Sequence, residues 1–134
     1  MQLTPDIYQR IVAAKVYIDD NYSEPIDLDE ISRKAFLSKF HFHRLFRQIY
    51  RHTPHQYVTR KRLQKAKDLL AINKPVTEVC NEVGFESIGS FSILFKKEIG
   101  FAPRITGIWL IRKRWNSGHN QRQLFRIVLS RHIS

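Results

Sequence analysis

One cysteine, Cys80, occurs in 134 residues. No intrachain disulfide can form, so the fold must be held by its core, and a reducing compartment fits. Glycine is almost as scarce: none of the five precedes Gly84. Strand-like alternation of apolar and polar residues is missing too, which argues against a β-rich fold. No apolar run is long enough to span a bilayer, and the N-terminus lacks a signal-peptide h-region. The expectation is a soluble, cytoplasmic protein with no membrane partner. No Ser-His-Asp arrangement, paired carboxylates or phosphate-cradling glycine loop is identifiable, so no catalytic residue, cofactor site or enzymatic role is expected.

Acids are missing where bases are dense. From Ile31 through Lys67 there is no Asp or Glu, yet the stretch holds Arg33, Lys34, Lys39, Arg44, Arg47, Arg51, Arg60, Lys61, Arg62, Lys65 and Lys67. A second acid-free stretch follows Glu98 and carries Arg104, Arg112, Lys113, Arg114, Arg122, Arg126 and Arg131. The formal net charge is +11 and the pI about 10.2. Such a balance predicts an anionic partner, nucleic acid before an anionic membrane surface. The bland alternative is a set of solvated faces. Hydrophobic residues make up 43% of the chain, enough to build a core and to exclude wholesale disorder.

What is present is a repeat. The pattern Ser-x3-Phe-x2-Leu-Phe-basic occurs as Ser38, Phe42, Leu45, Phe46, Arg47 and again 49 residues later (38 to 87) as Ser87, Phe91, Leu94, Phe95, Lys96. A repeated unit changes the reading of a whole fold. Upstream of each copy lies a shorter apolar set, Leu28, Ile31 and Ala35 in one, Val76, Val79, Cys80 and Val83 in the other. Ile31 to Ser38 is seven positions and Val79 to Ser87 is eight, so a turn absorbs one residue between the copies.

The apolar spacing is helical almost throughout. Ile7, Ile11, Ala14 and Ile18 predict a first helix from Pro5 to Asn21. Asp27 is a good N-cap, with Glu30 as its capping-box partner. Ser38 caps a helix whose buried stripe is Phe42, Leu45, Phe46 and Ile49. Thr53-Pro54 starts a long helix reaching about Asn73. Ser87 caps a helix that buries Phe91, Leu94, Phe95 and Ile99, and Gly100 ends it. The expected fold is all-α, arranged as two helix-turn-helix subdomains. The divisions are a first subdomain at 1–52, a linker helix at 53–73, a second subdomain at 74–107 and a basic C-terminal extension at 108–134.

A short helix, a tight turn and a capped helix with a narrow buried stripe is the layout of a helix-turn-helix, whose second helix enters the DNA major groove. The outer face of helix 38–49 offers Phe40, His43, Arg44 and Arg47. Arg44 can pair bidentately with guanine, His43 can donate or accept at a base edge, and Phe40 can pack on a thymine methyl or sugar. Lys39, Arg47 and Arg51 suit phosphates. An ordinary solvated face is the alternative. The matching face of helix 87–98 is Gly89, Ser92, Ile93 and Lys96, with no long donor in its base-reading half. Ile93 could touch a thymine methyl. Ser92 or Ser90 could reach a phosphate, and Glu86 and Ser87 lie at a helix start that can hold one. Most direct readout is therefore expected from the first unit, with the second adding non-specific affinity. About 17 linker residues span roughly 25 Å of helix, compatible with two recognition helices about one DNA turn, near 34 Å, apart.

At these residues the chain resembles the arabinose-regulator (AraC/XylS) family of bacterial transcription factors. The resemblance rests on the Leu28-to-Ala35 helix, Ser38 through Arg47, the Arg60-to-Leu70 helix, and Gly84-Phe85-Glu86-Ser87 with Phe91, Phe95-Lys96-Lys97, Gly100 and Pro103. It covers about residues 7–103. It implies a homeodomain-like fold of about seven helices, two helix-turn-helix units, an asymmetric double-stranded DNA site near a promoter, and activation through RNA polymerase; the linker length, separately, lets one monomer read two adjacent major grooves. The family's base-contacting positions match Phe40, His43 and Arg44 in the first unit and Ile88, Gly89, Ser92 and Ile93 in the second. Two departures stand out. Ile93 occupies a position where many members carry arginine, and Ile105-Thr106-Gly107 replaces the usual Tyr-Arg pair after Pro103.

His41, His43, His52 and His55 invite a metal reading, but the first two point to different sides of a helix and no cysteine cluster joins them, so no metal is expected. Cys80 reads as a small buried residue. The final segment holds Ile108, Trp109, Leu110 and Ile111, then Leu124, Phe125, Val128 and Leu129. It reads as a helix packing on the second unit, a basic extension along DNA, or a partner-binding or membrane-surface segment. The competing function is a basic module binding nucleic acid without sequence preference.

Overall fold

A computed structural model of the chain describes residues 3–117. Among these residues there are seven α-helices and no strand: α1 Pro5–Asn21, α2 Leu28–Lys34, α3 Lys39–Tyr50, α4 Pro54–Ala71, α5 Val76–Glu82, α6 Ile88–Ile99 and α7 Pro103–Asn116. They divide into two compact units that meet inside α4, between Arg62 and Leu63.

Unit 1 contains α1 to α3 and the first half of α4. Thr4 caps α1 by accepting from the Ile7 amide (3.2 Å), and Pro5 sits where its missing N–H costs nothing. The four residues at helical spacing, Ile7, Ile11, Ala14 and Ile18, are all buried. They pack with Ile31, Ala35, Phe42, Leu45, Phe46 and Val58 into one core. Four aromatic rings pack together in and against it. Phe46 lies 5.8 Å from Phe42, 4.7 Å from Tyr50 and 5.5 Å from Tyr57.

A polar staple ties α1 to α4 at the edge of this core. The Asp19 carboxylate accepts from the Tyr57 hydroxyl at 2.5 Å and pairs with Lys15 (2.7 Å) and Lys61 (3.3 Å). Burial pushes the Asp19 carboxyl up, but the hydrogen bonds from Lys15, Tyr57 and Lys61 outweigh it and hold the group below the usual carboxylate range. Burial and the bond to Asp19 raise the Tyr57 hydroxyl well above its ordinary value. Nearby, Arg62 donates to the Tyr22 and Glu24 carbonyls at 2.6 and 3.1 Å, satisfying carbonyls at and just beyond the end of α1.

Unit 2 takes the second half of α4 with α5 to α7. Its core is Leu63, Ala66, Leu69, Leu70, Val79, Cys80, Val83, Phe91 and Phe95. Phe91 and Phe95 stack 5.6 Å apart, as Phe42 and Phe46 do in unit 1. Burial raises the Cys80 thiol, whose Sγ donates to the Phe85 carbonyl at 3.8 Å. The segment from Ile108 to Asn116 belongs to α7, which begins at Pro103 and runs through Gly107 without a break. Thr106 and Gly107 are both buried there. The second apolar set of the tail, Leu124 to Leu129, lies outside the described residues.

The capping pattern differs from expectation at one place. Asp27 caps α2 through the Asp29 and Glu30 amides (3.0 and 3.2 Å), but the Glu30 carboxylate lies 3.4 Å from Lys34 along the helix. A reciprocal capping box forms instead at α4, where the Gln56 amide donates to Thr53 Oγ1 (3.2 Å) and the Thr53 amide donates to Gln56 Oε1 (3.0 Å).

The two helix-turn-helix turns share one hydrogen-bond scheme. In the first, the Phe36 amide donates to the Arg33 carbonyl and the Leu37 amide to the Ser32 carbonyl, at 2.9 and 3.1 Å. In the second, Gly84 donates to Asn81 and Phe85 to Cys80, at 3.2 and 3.0 Å. This is the Schellman closure of a helix end, which needs a left-handed residue after the cap. Gly84 supplies it at φ 97° and Phe36 at φ 56°. The extra residue of the second unit is thus Glu86, between the closed turn and the cap Ser87, where it does not rotate either helix.

Candidate nucleic-acid interface

Each copy of the repeat builds a capped helix with one buried and one open face. In α3, Ser38 Oγ accepts from the His41 amide (3.2 Å) and lies 2.9 Å from His41 Nδ1. Phe42, Leu45 and Phe46 are buried, and Ile49 is half-buried. The stripe pins the rotation of the helix, and the opposite face is left to solvent. Phe40, Arg44 and Arg47 are exposed there, with His43 half-buried beside them.

These side chains are not independent. The Arg44 guanidinium sits 6.0 Å from the centroid of the Phe40 ring, which is 71% exposed. A cation over an aromatic face gains about 0.5–1 kcal/mol at exposed sites, so the ring limits where the guanidinium goes. His43 meets the edge of Phe42 at 6.3 Å, which sets the imidazole against the core rather than in open solvent. Lys39 Nζ lies 3.2 Å from the Asp29 carboxylate of α2. Arg51 is the left-handed C-cap of α3, at φ 65°, and its amide donates to the Arg47 carbonyl at 2.8 Å.

In α6 the cap is equivalent: Ser87 Oγ accepts from the Ser90 amide at 3.1 Å. Phe91 and Phe95 are buried, while Leu94 and Ile99 are half-buried. The open face carries Ile93, 72% exposed, with Ile88, Gly89 and Lys96 exposed and Ser92 half-buried. Ser90 is exposed, as is Glu86 before the cap. A side chain at Gly89 would meet only Ser87 Oγ, at 4.0 Å. Its small size therefore leaves the helix face low without being required by packing.

The sequence placed every expected contact residue on an open or half-open surface. It missed how the basic stretch is spent. Lys34, Lys39, Lys61 and Arg62 all find partners in unit 1, on Glu30, Asp29, Asp19 and two carbonyls. Those acids precede Ile31 in the chain, so a stretch free of acids in sequence is not free of them in space. Exposed pairs such as Lys39–Asp29 contribute little stability; their effect is on which cations face outward.

A family model described as a helix-turn-helix domain matches residues 31–106, more than half of the chain and both α3 and α6. The chain belongs to the AraC family of helix-turn-helix transcription regulators. LumQ of Photobacterium leiognathi, a probable transcriptional regulator, is 42% identical over 88 residues, covering 65% of this chain and 36% of LumQ. The chain thus spans about a third of the length of that relative. The C-terminal domain of the two-component response regulator yesN from Fusobacterium nucleatum matches with a TM-score of 0.67 at 26% identity, covering 72% of this chain and 95% of that one. The DNA-binding domain of AdpA, a global transcriptional factor, was solved in complex with a target DNA. It shares the fold with a TM-score of 0.74 at 23% identity, covering 78% of this chain and 96% of that one. For an AraC-family domain, α3 and α6 are the second helices of the two helix-turn-helix units.

Proposed function

We propose that this AraC-family domain binds double-stranded DNA with sequence specificity, as a cytoplasmic transcription activator. It binds as a monomer, with α3 in one major groove and α6 in the neighbouring one. The observation that carries the reading is the contrast between the two open faces. Phe40, His43 and Arg44 read bases, and Arg44 is the main discriminating contact because a guanidinium can satisfy guanine bidentately. Ser92 and Ile93 touch base edges weakly, since neither offers two donors. Lys39, Arg47, Arg51, Ser87, Ser90 and Lys96 hold phosphates, which fix register without reading sequence. RNA polymerase is the partner that activation requires, and the family resemblance supports it.

Selection from random duplexes over a salt series tests this. An asymmetric motif should emerge, and binding should weaken with salt at a slope of about −0.9 per phosphate contact. A steep salt dependence without any enriched motif would favour the competing reading, a basic module without sequence preference.

A further inference from the structure

Lys39 stands among the cations that hold phosphates, yet the domain already gives it a carboxylate. Its Nζ lies 3.2 Å from Asp29 Oδ1, and the two side chains are 67% and 52% exposed. The pair joins the first turn of α2 to the first residue of α3, next to the cap Ser38. The capping of α2 does not use that carboxylate. Asp27 Oδ1 accepts from the Asp29 and Glu30 amides, and the Asp29 carbonyl accepts from Ser32 Oγ at 2.7 Å.

The internal repeat supplies a control. Ile31 aligns with Val79 and Ser38 with Ser87, so Asp29 aligns with Thr77 and Lys39 with Ile88. Both members of the pair are missing from unit 2, although its turn and its serine cap are built in the same way. Glu30, by contrast, keeps an acid at its aligned position, Glu78. The acid at position 29 therefore goes with the cation at position 39, not with the making of the helix.

An exposed pair of this kind contributes little to stability. At a cation that meets DNA it has a further consequence. A phosphate approaching Lys39 must displace the carboxylate or share the ammonium with it, against the repulsion of a like charge. We propose that Asp29 limits the affinity of α3 for DNA by competing with a backbone phosphate for Lys39. Phosphate contacts carry no sequence information directly, so the restraint falls on all duplexes alike and leaves discrimination by Arg44 untouched. The inference rests on the reading of Lys39 as a phosphate contact.

The test is a set of affinities of the full chain for the selected duplex and for an unrelated duplex, each over a salt series. Asp29→Asn should tighten both about two- to fivefold at low salt and steepen the salt slope by up to about 0.9, with helix content unchanged by circular dichroism. Glu30→Gln alters the net charge equally but releases Lys34, which holds no assigned phosphate, and should change both readouts much less. An equal gain from Glu30→Gln would reduce the effect to bulk charge and overturn the proposal. Most of the Asp29→Asn gain should disappear in a Lys39→Gln background. An undiminished gain there would contradict the proposal, because the acid would then act on DNA directly. Two further outcomes separate this inference from the reading beneath it. If Lys39→Gln weakens binding while Asp29→Asn leaves it unchanged or weaker, Asp29 does not compete and the inference alone fails. If Lys39→Gln has no effect on either duplex, the phosphate contact is wrong and the inference falls with it.

Discussion

Unit 1 and unit 2 spend the same scaffold differently. Both close their turn with the same pair of backbone bonds, cap the next helix with serine and bury two phenylalanines one helical turn apart. Their open faces then diverge: an arginine held over an exposed phenylalanine in one, a glycine and an exposed isoleucine in the other. Buried faces are constrained by packing, where losing even one methylene is felt. Open faces are constrained only by what they touch. A duplicated unit can therefore keep one face and give up the other, and the divergence between faces points to function more sharply than either face alone.

The comparison breaks most forcefully in the cores. Phe46→Ala and Phe95→Ala should each cost about 3–5 kcal/mol in urea unfolding. Phe46 should stand at the high end, because it also stacks on Tyr50 and Tyr57. If Phe95 cost far less, the scaffolds would not be equivalent.

Next is the Asp19 staple of unit 1. Asp19→Asn should destabilise by about 1.5–3 kcal/mol, the range for hydrogen bonds to a charged group. The pH dependence has a definite sign. The folded carboxyl is depressed, so its contribution is present above the unfolded value of about 3.9 and is lost as pH falls through the folded value. The wild type should weaken below about pH 4 more than the Asn variant does, as read by thermal unfolding across a pH series; parallel curves would remove the staple from the account of unit 1.

The turns give a smaller effect of opposite signs. Gly84→Phe should cost about 1–2 kcal/mol, because a Cβ is strained at φ 97°. Phe36→Gly should stabilise by up to about 1 kcal/mol, relief of left-handed strain being partly offset by loss of the Arg10 guanidinium 5.9 Å from the ring. Thermal unfolding of the two variants reads both signs, and destabilisation by Phe36→Gly would show that the exposed ring supports the fold.

These cases also show what the sequence could reveal. Helices were legible because Ile7, Ile11, Ala14 and Ile18, and the two phenylalanine stripes, follow a 3.6-residue period with serine or threonine at the start. The turn difference was legible as a count of positions, though not the residue that absorbs it. Links between distant residues were not legible. Asp19 and Tyr57 are 38 positions apart, and nothing local marks them as partners. The capping box moved for a similar reason: Glu30 had Lys34 within reach, while Gln56, uncharged, turned back to Thr53. On the candidate site, the residue types on each open face were readable from spacing, but the Arg44–Phe40 stacking and the capture of Lys39 by Asp29 depend on side-chain geometry.

The division of labour between the faces is tested most directly by measuring Arg44→Ala and Ile93→Ala affinities on the selected duplex and on each of its single base-pair variants. Arg44→Ala should flatten discrimination at one position by about 1–3 kcal/mol, while Ile93→Ala should weaken binding nearly equally across all variants. A larger loss of discrimination from Ile93→Ala than from Arg44→Ala would contradict the assignment of α3 as the reader.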